Sequence, residues 1–209
     1  NGDMRIDQRN AGASVTPTGN GVYVIDRWMC ALSQASKYSA QQVTESPAGF
    51  VNSSLITSLS AYSSVAADFM YYAHKIEGFN IADFGWGTSD AKTVTISFWV
   101  RSSLTGVFSL RIINSSFNRS YVTTYTINTA NTWEKKTITI TGDQSGTWQT
   151  DNSIGLELAF DLGSGSNYTT SSVNSWQAAG NAKASGSVSL LATSGATFYV
   201  TGVQLEKGS

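Results

Sequence analysis

A period-two alternation of apolar and polar residues constrains the fold of this chain most strongly. The clearest example is an apolar stripe in which every second residue is aliphatic or aromatic: Ile154, Leu156, Leu158, Phe160 and Leu162. Successive side chains of a β-strand point to opposite faces, so the stripe predicts a strand with one buried face. The residues between them, including Glu157 and Asp161, are then expected to face outward or toward a groove.

Similar patterns recur along the chain. They predict strands over residues 4–9, 21–29, 50–59, 68–77, 93–101, 108–112, 121–128, 136–141 and 197–205. In the last of these the alternation changes phase near Gly202, which predicts a β-bulge there. Ala31–Val43 is the one stretch that suggests a helix. About eight to ten strands joined by polar, Gly-rich turns predict a single all-β domain over residues 1–209, a sandwich or barrel.

Composition limits the partners. Charged residues make up only 13% of the chain, the net charge is −1, and the densest basic run is Lys135-Lys136. A phosphate backbone needs more cations than this, so we expect no nucleic-acid partner. No apolar run approaches the roughly 20 residues of a spanning helix, so we expect no membrane insertion. The first residues lack a signal peptide, and both ends read as those of a domain cut from a longer protein.

Most catalytic chemistry lacks its residues. The chain has one histidine, His74, and one cysteine, Cys30, so a zinc centre cannot be assembled, and no nucleophile elbow surrounds any serine. Both residues are interpreted as structural, with Cys30 a small buried apolar group. We therefore predict no catalytic residue and no cofactor.

Two uses of carboxylates stay open. Glycoside hydrolysis needs only two carboxylates roughly 5–10 Å apart. Glu157 and Asp161 lie some 13 Å apart along one strand, about 3.3 Å per residue, but Glu77 or Asp83 could supply a cross-strand partner. A structural calcium ion is the second alternative, because aspartates near loops (Asp143, Asp151 and Asp161) offer oxygen ligands, although without regular spacing.

Aromatic residues in polar loops provide the main functional signal. Sugars present apolar C–H faces that stack on flat rings, and their hydroxyl groups bond to polar side chains. Trp86 and Trp148 lie in Gly- and Ser-rich contexts, and the long polar segment Gly163–Ser187 carries Tyr168 and Trp176. We predict these four residues as a carbohydrate-binding set. The alternative is that the tryptophans cap one end of the fold, and Trp28, Trp99 and Trp133 are interpreted as structural.

A series of short motifs, in a fixed order, resembles a known family. The motifs are Met4–Asn10, Asp26–Trp28, Ile76–Gly78, Phe84–Thr88, Thr95–Val100, Asn131–Glu134 and Gly202–Gly208. Together they resemble the jelly-roll domains of tailed-phage tail fibres and other virion proteins, which look like carbohydrate-binding modules. The resemblance spans residues 4 to 208.

The resemblance implies a two-sheet antiparallel β-sandwich of jelly-roll type, located in a virion and therefore extracellular. It implies a non-catalytic, glycan-binding receptor-recognition domain whose partners are a host-surface glycan and other virion proteins. A purely structural fibre module, assembling as a homotrimer, and a polysaccharide depolymerase are the alternatives. Related modules often bind calcium through a carboxylate of the final strand, where this chain has Gln204.

Overall fold

The computed structural model describes residues 1–208, which form fourteen strands. In chain order they are β1 (Val22–Ile25), β2 (Trp28–Leu32), β3 (Tyr38–Val43), β4 (Ser53–Ser58), β5 (Met70–Glu77), β6 (Val94–Ser102), β7 (Gly106–Asn114), β8 (Ser120–Ile127), β9 (Glu134–Ile140), β10 (Ile154–Asp161), β11 (Thr169–Thr170), β12 (Trp176–Gln177), β13 (Lys183–Ala184) and β14 (Thr197–Lys207). Short 3₁₀ turns occupy Gly78–Asn80, Ala82–Phe84, Ser166–Tyr168 and Leu190–Ala192. Within this part of the chain, no helix has the length and apolar character needed to cross a membrane.

Two antiparallel sheets form the body of the molecule. The seven-stranded sheet has the order β1-β2-β5-β10-β7-β8-β12, and the five-stranded sheet has the order β3-β4-β14-β6-β9. A small parallel pair, β11 and β13, lies in the segment Gly163–Ser187. The predicted two-sheet sandwich of jelly-roll type is confirmed.

The predicted alternation agrees with the burial of the strands. Along β10, Leu156, Leu158 and Phe160 point toward the five-stranded sheet and belong to the main core. We call this side of the seven-stranded sheet its inner face and the opposite side its outer face. The core is rich in stacked rings, among them Trp28 and Tyr72 with centroids 5.3 Å apart. Such ring pairs add to the free energy gained from burying apolar surface.

The two residues that were expected to be structural lie as predicted. Cys30 is fully buried on β2, and burial raises the pKa of its thiol to about 12. His74 packs on Trp28, with ring centroids 5.0 Å apart, and burial lowers the pKa of its imidazole to about 4.

The bulge predicted at Gly202 is confirmed. The pairing of β14 with β6 shifts register between Thr201 and Gln204, and Gly202 has a φ of +62°. A Cβ atom at this position would lie 2.6 Å from the ring of Phe50. Glycine is therefore required both by the left-handed backbone and by the close ring.

Two segments of the first half differ from the prediction. Residues 4–9 form irregular backbone that leads into a turn and not a strand, because the side chain of Asp7 accepts the backbone N–H groups of Asn10 and Gly12. Such local bonds compete with ladder formation. Ala31–Val43 is not a helix: it holds the end of β2, a turn and β3, and burial along β3 alternates with period two. The segment 21–29 is a hairpin of β1 and β2 instead of one strand.

Candidate functional site

Three of the four predicted site residues meet inside the molecule. Trp86, Trp148 and Trp176 contact one another edge to face, with ring centroids 4.8 to 5.3 Å apart. We call them the tryptophan cluster. Trp86 and Trp148 are only 6% and 7% exposed and belong to the main core, and half-buried Trp176 packs against it from β12. The structure therefore places Trp86 and Trp148 as packing groups, which was the alternative interpretation of these rings.

The polar edges of the tryptophan cluster are all satisfied. The indole N–H of Trp86 donates to the carbonyl of Lys92 at 2.8 Å, and that of Trp176 donates to Thr141 at 2.8 Å. Trp148 donates to Asp143, whose carboxylate also accepts two bonds from Arg119. Buried indole N–H groups need such partners, so the cluster is complete without a ligand.

The fourth predicted residue, Tyr168, lies on the outer face of the seven-stranded sheet. It lines a cleft of about 280 Å³, which we call the outer cleft, together with Asn20, Phe69, Tyr71, Arg111, Phe117 and Gly180. Four of these seven residues are aromatic. Tyr168 meets Phe69 edge to face at 6.0 Å, and both pack against a small apolar cluster on this face. The outer cleft therefore has the flat apolar rings that an oligosaccharide requires.

Strand geometry explains how Tyr71 and Arg111 reach the outer cleft. On β7 the core residues Phe108, Leu110 and Ile112 point inward, so Arg111 points outward. On β5 the inward residues Met70 and Tyr72 place Tyr71 on the same outer face. Phe117 lies in the turn between β7 and β8, where its φ is +54°. The backbone of Gly180 packs closely on this turn, since a Cβ on Gly180 would lie 2.7 Å from the Phe117 carbonyl oxygen.

Arg111 is the polar centre of the outer cleft. Its side chain is 2% exposed, and one guanidinium nitrogen donates to Glu157 Oε1 at 2.7 Å. The guanidinium lies 3.9 Å from the ring centroid of Tyr71 and 5.8 Å from that of Phe117. Its Nε has no hydrogen-bond partner among residues 1–208. An unpaired buried donor costs about 1–3 kcal/mol, and such a cost is typical of a site that awaits a ligand or an ordered water.

Asp161 is a second incompletely bonded group on the same face. Its Oδ1 accepts the backbone N–H of Ser164 at 3.0 Å, whereas its Oδ2 has no partner among the residues that the structure describes. Asp161 is 3% exposed and lies opposite Tyr71 across the β10–β5 ladder. Burial raises the pKa of this carboxyl to about 6. Arg111 Nε and Asp161 Oδ2 are therefore two buried polar atoms on this face that have no partner among residues 1–208.

Apart from Asp161, the carboxylates that the sequence left open are already engaged, and Glu77 and Asp83 are paired with Arg27 and Lys207. Glu157 and Asp161 share the outer face as expected, but Glu157 is held by Arg111. Asp143 is bound to Arg119, and Asp151 accepts bonds from Ser153. Across residues 1–208, no three His, Cys, Asp or Glu side chains come together as a metal site requires.

A separate aromatic group lies on the outer side of the five-stranded sheet. Trp133 and Tyr199 meet edge to face at 6.0 Å, and the guanidinium of Arg101 lies 5.0 Å from the Tyr199 ring. Arg101 is paired with Glu45, and Trp99 is half-buried near Lys135 on the same side. This group also presents aromatic rings toward solvent, on the sheet opposite the outer cleft.

Sequence reasoning missed six of the seven cleft residues: Asn20, Phe69, Tyr71, Arg111, Phe117 and Gly180. The available signal was the alternation on two strands. It places Arg111 on the outward side of β7 and Glu157 on the outward side of β10. The charges of a paired arginine and glutamate on adjacent outward positions would have indicated the floor of a cleft.

The comparisons with known proteins concern the fold. No protein-family model matches the chain, and no curated protein is similar to it in sequence. The enzymatically active domain of tailspike protein 4 from bacteriophage CBA120 is similar with a TM-score of 0.50 and 10% identity, covering 87% of this chain and 19% of that one. An exo-β-agarase gives a TM-score of 0.50 and 9% identity, covering 93% and 25%.

A family 11 carbohydrate-binding module from Clostridium thermocellum, solved with a β-1,3-1,4-mixed-linked tetrasaccharide, gives a TM-score of 0.46 and 14% identity, covering 96% and 98%. The sandwich fold of this chain is therefore found also within the tailspike domain and within the agarase. The chain spans only 19% and 25% of their lengths, so the activities of those whole proteins belong to much longer chains.

Proposed function

We propose that this chain is a non-catalytic glycan-binding domain of a phage tail fibre or related virion protein, and that the glycan occupies the outer cleft. The observation that carries the proposal is Arg111, buried beneath aromatic rings with its Nε unbonded. A sugar ring on Tyr168 or Phe117 places its hydroxyl groups near this guanidinium and the amide of Asn20. Flat rings beside a few convergent polar groups are the usual composition of a sugar site.

The virion setting rests on the ordered motifs of the sequence. The tailspike domain and the agarase, at identities of 10% and 9%, support the fold alone. Tyr168 is the predicted residue that lies in the outer cleft, and Trp176 keeps a half-buried ring at the β12 edge. The proposal therefore retains Tyr168 as a contact and treats Trp86 and Trp148 as framework.

A glycan array of bacterial surface polysaccharides, followed by calorimetric titration of any ligand found, tests the proposal. Tyr168→Ala is expected to weaken binding about tenfold, the effect of losing roughly 1.4 kcal/mol of stacking. Trp133→Ala, on the opposite sheet, is the matched control and is expected to bind normally. The reverse pattern would move the site to the five-stranded sheet, and an array without any ligand would overturn glycan binding.

Two further parts of the proposal concern assembly. A fibre domain is expected to contact other virion proteins and to form a homotrimer. Sedimentation equilibrium at high protein concentration measures the oligomer directly. A monomer at all concentrations contradicts the trimer while leaving glycan binding untouched.

A bound structural calcium ion is tested by metal analysis of the purified protein.

A further inference from the structure

A second cleft on the seven-stranded sheet has a different chemistry from the outer cleft. We call it the end cleft, with a volume of about 510 Å³. Its lining residues come from the turn at Arg9, from β1 and the β1–β2 turn, from β5, and from the loop before β10 and its first residue: Arg9, Tyr23, Asp26, Arg27, Lys75, Ile76, Glu77, Asn152, Ser153 and Ile154. Three of these residues are cationic and two carry a carboxylate.

The end cleft and the outer cleft share the outer face. Lys75 and Tyr71 are four residues apart on β5, so their side chains point to the same side. A cross-strand row also joins the two clefts: Tyr23, Met29, Ala73, Ala159 and Arg111 are successive partners across five strands. Four strand spacings of about 4.8 Å separate the ends of this row by roughly 19 Å, the length of a short oligosaccharide.

The charges of the end cleft do not cancel among its own side chains. Glu77 is bound by Arg27 through two bonds of 2.7 and 2.6 Å, and Asp26 accepts the backbone N–H of Gln8 at 2.6 Å. Arg9 and Lys75 form no ion pair with any of residues 1–208. Asp26 likewise forms no ion pair within residues 1–208, so Arg9, Lys75 and Asp26 leave the end cleft with a net charge of +1, which favours an anionic ligand.

The nearest cross-strand carboxylate, that of Glu157, does not form an ion pair with Lys75. Lys75 lies opposite Glu157 across the β5–β10 ladder, but the Glu157 carboxylate is bonded to Arg111. The guanidinium of Arg9 lies 5.4 Å from the ring centroid of Tyr23, which is half-exposed. An anion near Lys75 and Arg9 therefore has a flat ring beside it, and the exposed Asn152 amide at the rim.

We infer that the end cleft binds an anionic sugar residue, a pyranose that bears a carboxylate or a phosphate, so that the glycan recognised by this domain is an acidic polysaccharide. The inference rests on the proposed function, because it names the ligand class of that glycan. Lys75 and Arg9 bind the anionic group, Tyr23 contacts the ring, and Arg27 is held in place by Glu77. Charge-assisted bonds from both cations select acidic over neutral sugars.

Amide NMR titrations of the whole domain with sodium glucuronate, glucose 6-phosphate and glucose test the inference. We expect saturable shifts at Tyr23, Lys75 and Asn152 with an anionic sugar and none with glucose. Glucuronate and glucose 6-phosphate distinguish a carboxylate ligand from a phosphate ligand. Lys75→Gln is expected to weaken the response about tenfold, whereas Lys135→Gln, an exposed lysine on β9, leaves it unchanged.

The array and its ligands separate this inference from the proposed function. Binding to acidic polysaccharides that disappears on carboxyl reduction or dephosphorylation supports both. Equal binding to neutral and acidic glycans, or anionic-sugar shifts that survive Lys75→Gln, overturns the inference and leaves glycan binding intact. The absence of any glycan ligand overturns both.

Discussion

The tryptophan cluster and the outer cleft use the same kind of side chain, an aromatic ring in a polar loop, but differ in how their polar groups are bonded. Every indole N–H of the cluster has a protein acceptor, and the supporting Asp143 is bound by Arg119. In the outer cleft, Arg111 Nε has no partner within residues 1–208, and the same holds for Asp161 Oδ2, which is buried on the same face of the sheet. Rings with satisfied polar neighbours stabilise the fold, whereas rings with unsatisfied neighbours indicate a place for a ligand.

The largest effect is expected from a substitution that disrupts the tryptophan cluster. Trp148→Ala removes a buried ring that contacts two other tryptophans, and its expected cost is ~3–5 kcal/mol in the free energy of unfolding. Urea denaturation measures this loss, and glycan affinity of the folded fraction should stay the same. A loss below ~1 kcal/mol combined with weakened glycan binding would give Trp148 the role of a contact residue.

The second effect concerns Asp161 and depends on pH. Burial raises the pKa of this carboxyl from 3.8 to about 6, so the folded state favours the protonated form. The contribution of Asp161 to stability is therefore most favourable below pH 3.8, falls as pH rises to about 6, and stays reduced above it. A rise of about 2 in pKa corresponds to ~3 kcal/mol.

Asp161→Asn removes this charge and keeps an oxygen for the Ser164 N–H. It is expected to raise the free energy of unfolding by up to ~3 kcal/mol at pH 8 and by little at pH 3.5. Asp90→Asn, at an exposed position, is the control. Denaturant titrations across this pH range check the sign, and a variant that is destabilised at pH 8 would show that the ionised carboxylate is needed.

The third comparison replaces an arginine by lysine in each region: Arg111 in the outer cleft and Arg119 beside the tryptophan cluster. Arg111→Lys keeps the charge next to Glu157 but loses the planar group on Tyr71. Glycan affinity should therefore fall about tenfold, and the free energy of unfolding should fall by ~1–2 kcal/mol. Arg119→Lys disturbs the pairing with Asp143 and should lower stability alone. Calorimetry and denaturation of the two variants compare these outcomes. Equal glycan affinity for both would remove Arg111 from the binding site.

The smallest effect is expected at the rim of the outer cleft. Phe117 is 43% exposed and has a φ of +54°. Phe117→Gly relieves this backbone conformation, so the free energy of unfolding should change by less than ~1 kcal/mol while glycan affinity falls severalfold. Ser36→Gly, at a φ of +59°, is the matched control without an effect on binding. Unchanged affinity for Phe117→Gly would place the ligand away from this rim.

The strands of the second half could be predicted from sequence, because one of their faces is buried and period-two alternation follows directly. The stripe on β10 and the bulge at Gly202 are examples. Residues 4–9 were assigned wrongly because side-chain bonds of Asp7 replace ladder bonds, which hydrophobic pattern does not show. Ala31–Val43 was misread because its turn interrupts two short strands.

The site was harder to predict, since alternation assigns a face but does not reveal which loops cover it. Trp86 and Trp148 lie near glycines in polar loops and yet enter the core, where their indole N–H groups donate to the backbone carbonyls of Lys92 and Ser145. Arg111 stood among aliphatic residues of β7, and its role became visible only when Glu157 and Tyr71 lay beside it.

A crystal structure of the domain with an oligosaccharide of a polysaccharide that it binds is the decisive test of the outer cleft as the glycan site. We expect a sugar ring against Tyr168 and Phe117, with a hydroxyl group within hydrogen-bond distance of the Arg111 guanidinium, and the tryptophan cluster unchanged. A sugar stacked on Trp133 and Tyr199 of the opposite sheet, or one that opens the tryptophan cluster to reach Trp86 and Trp148, would contradict it.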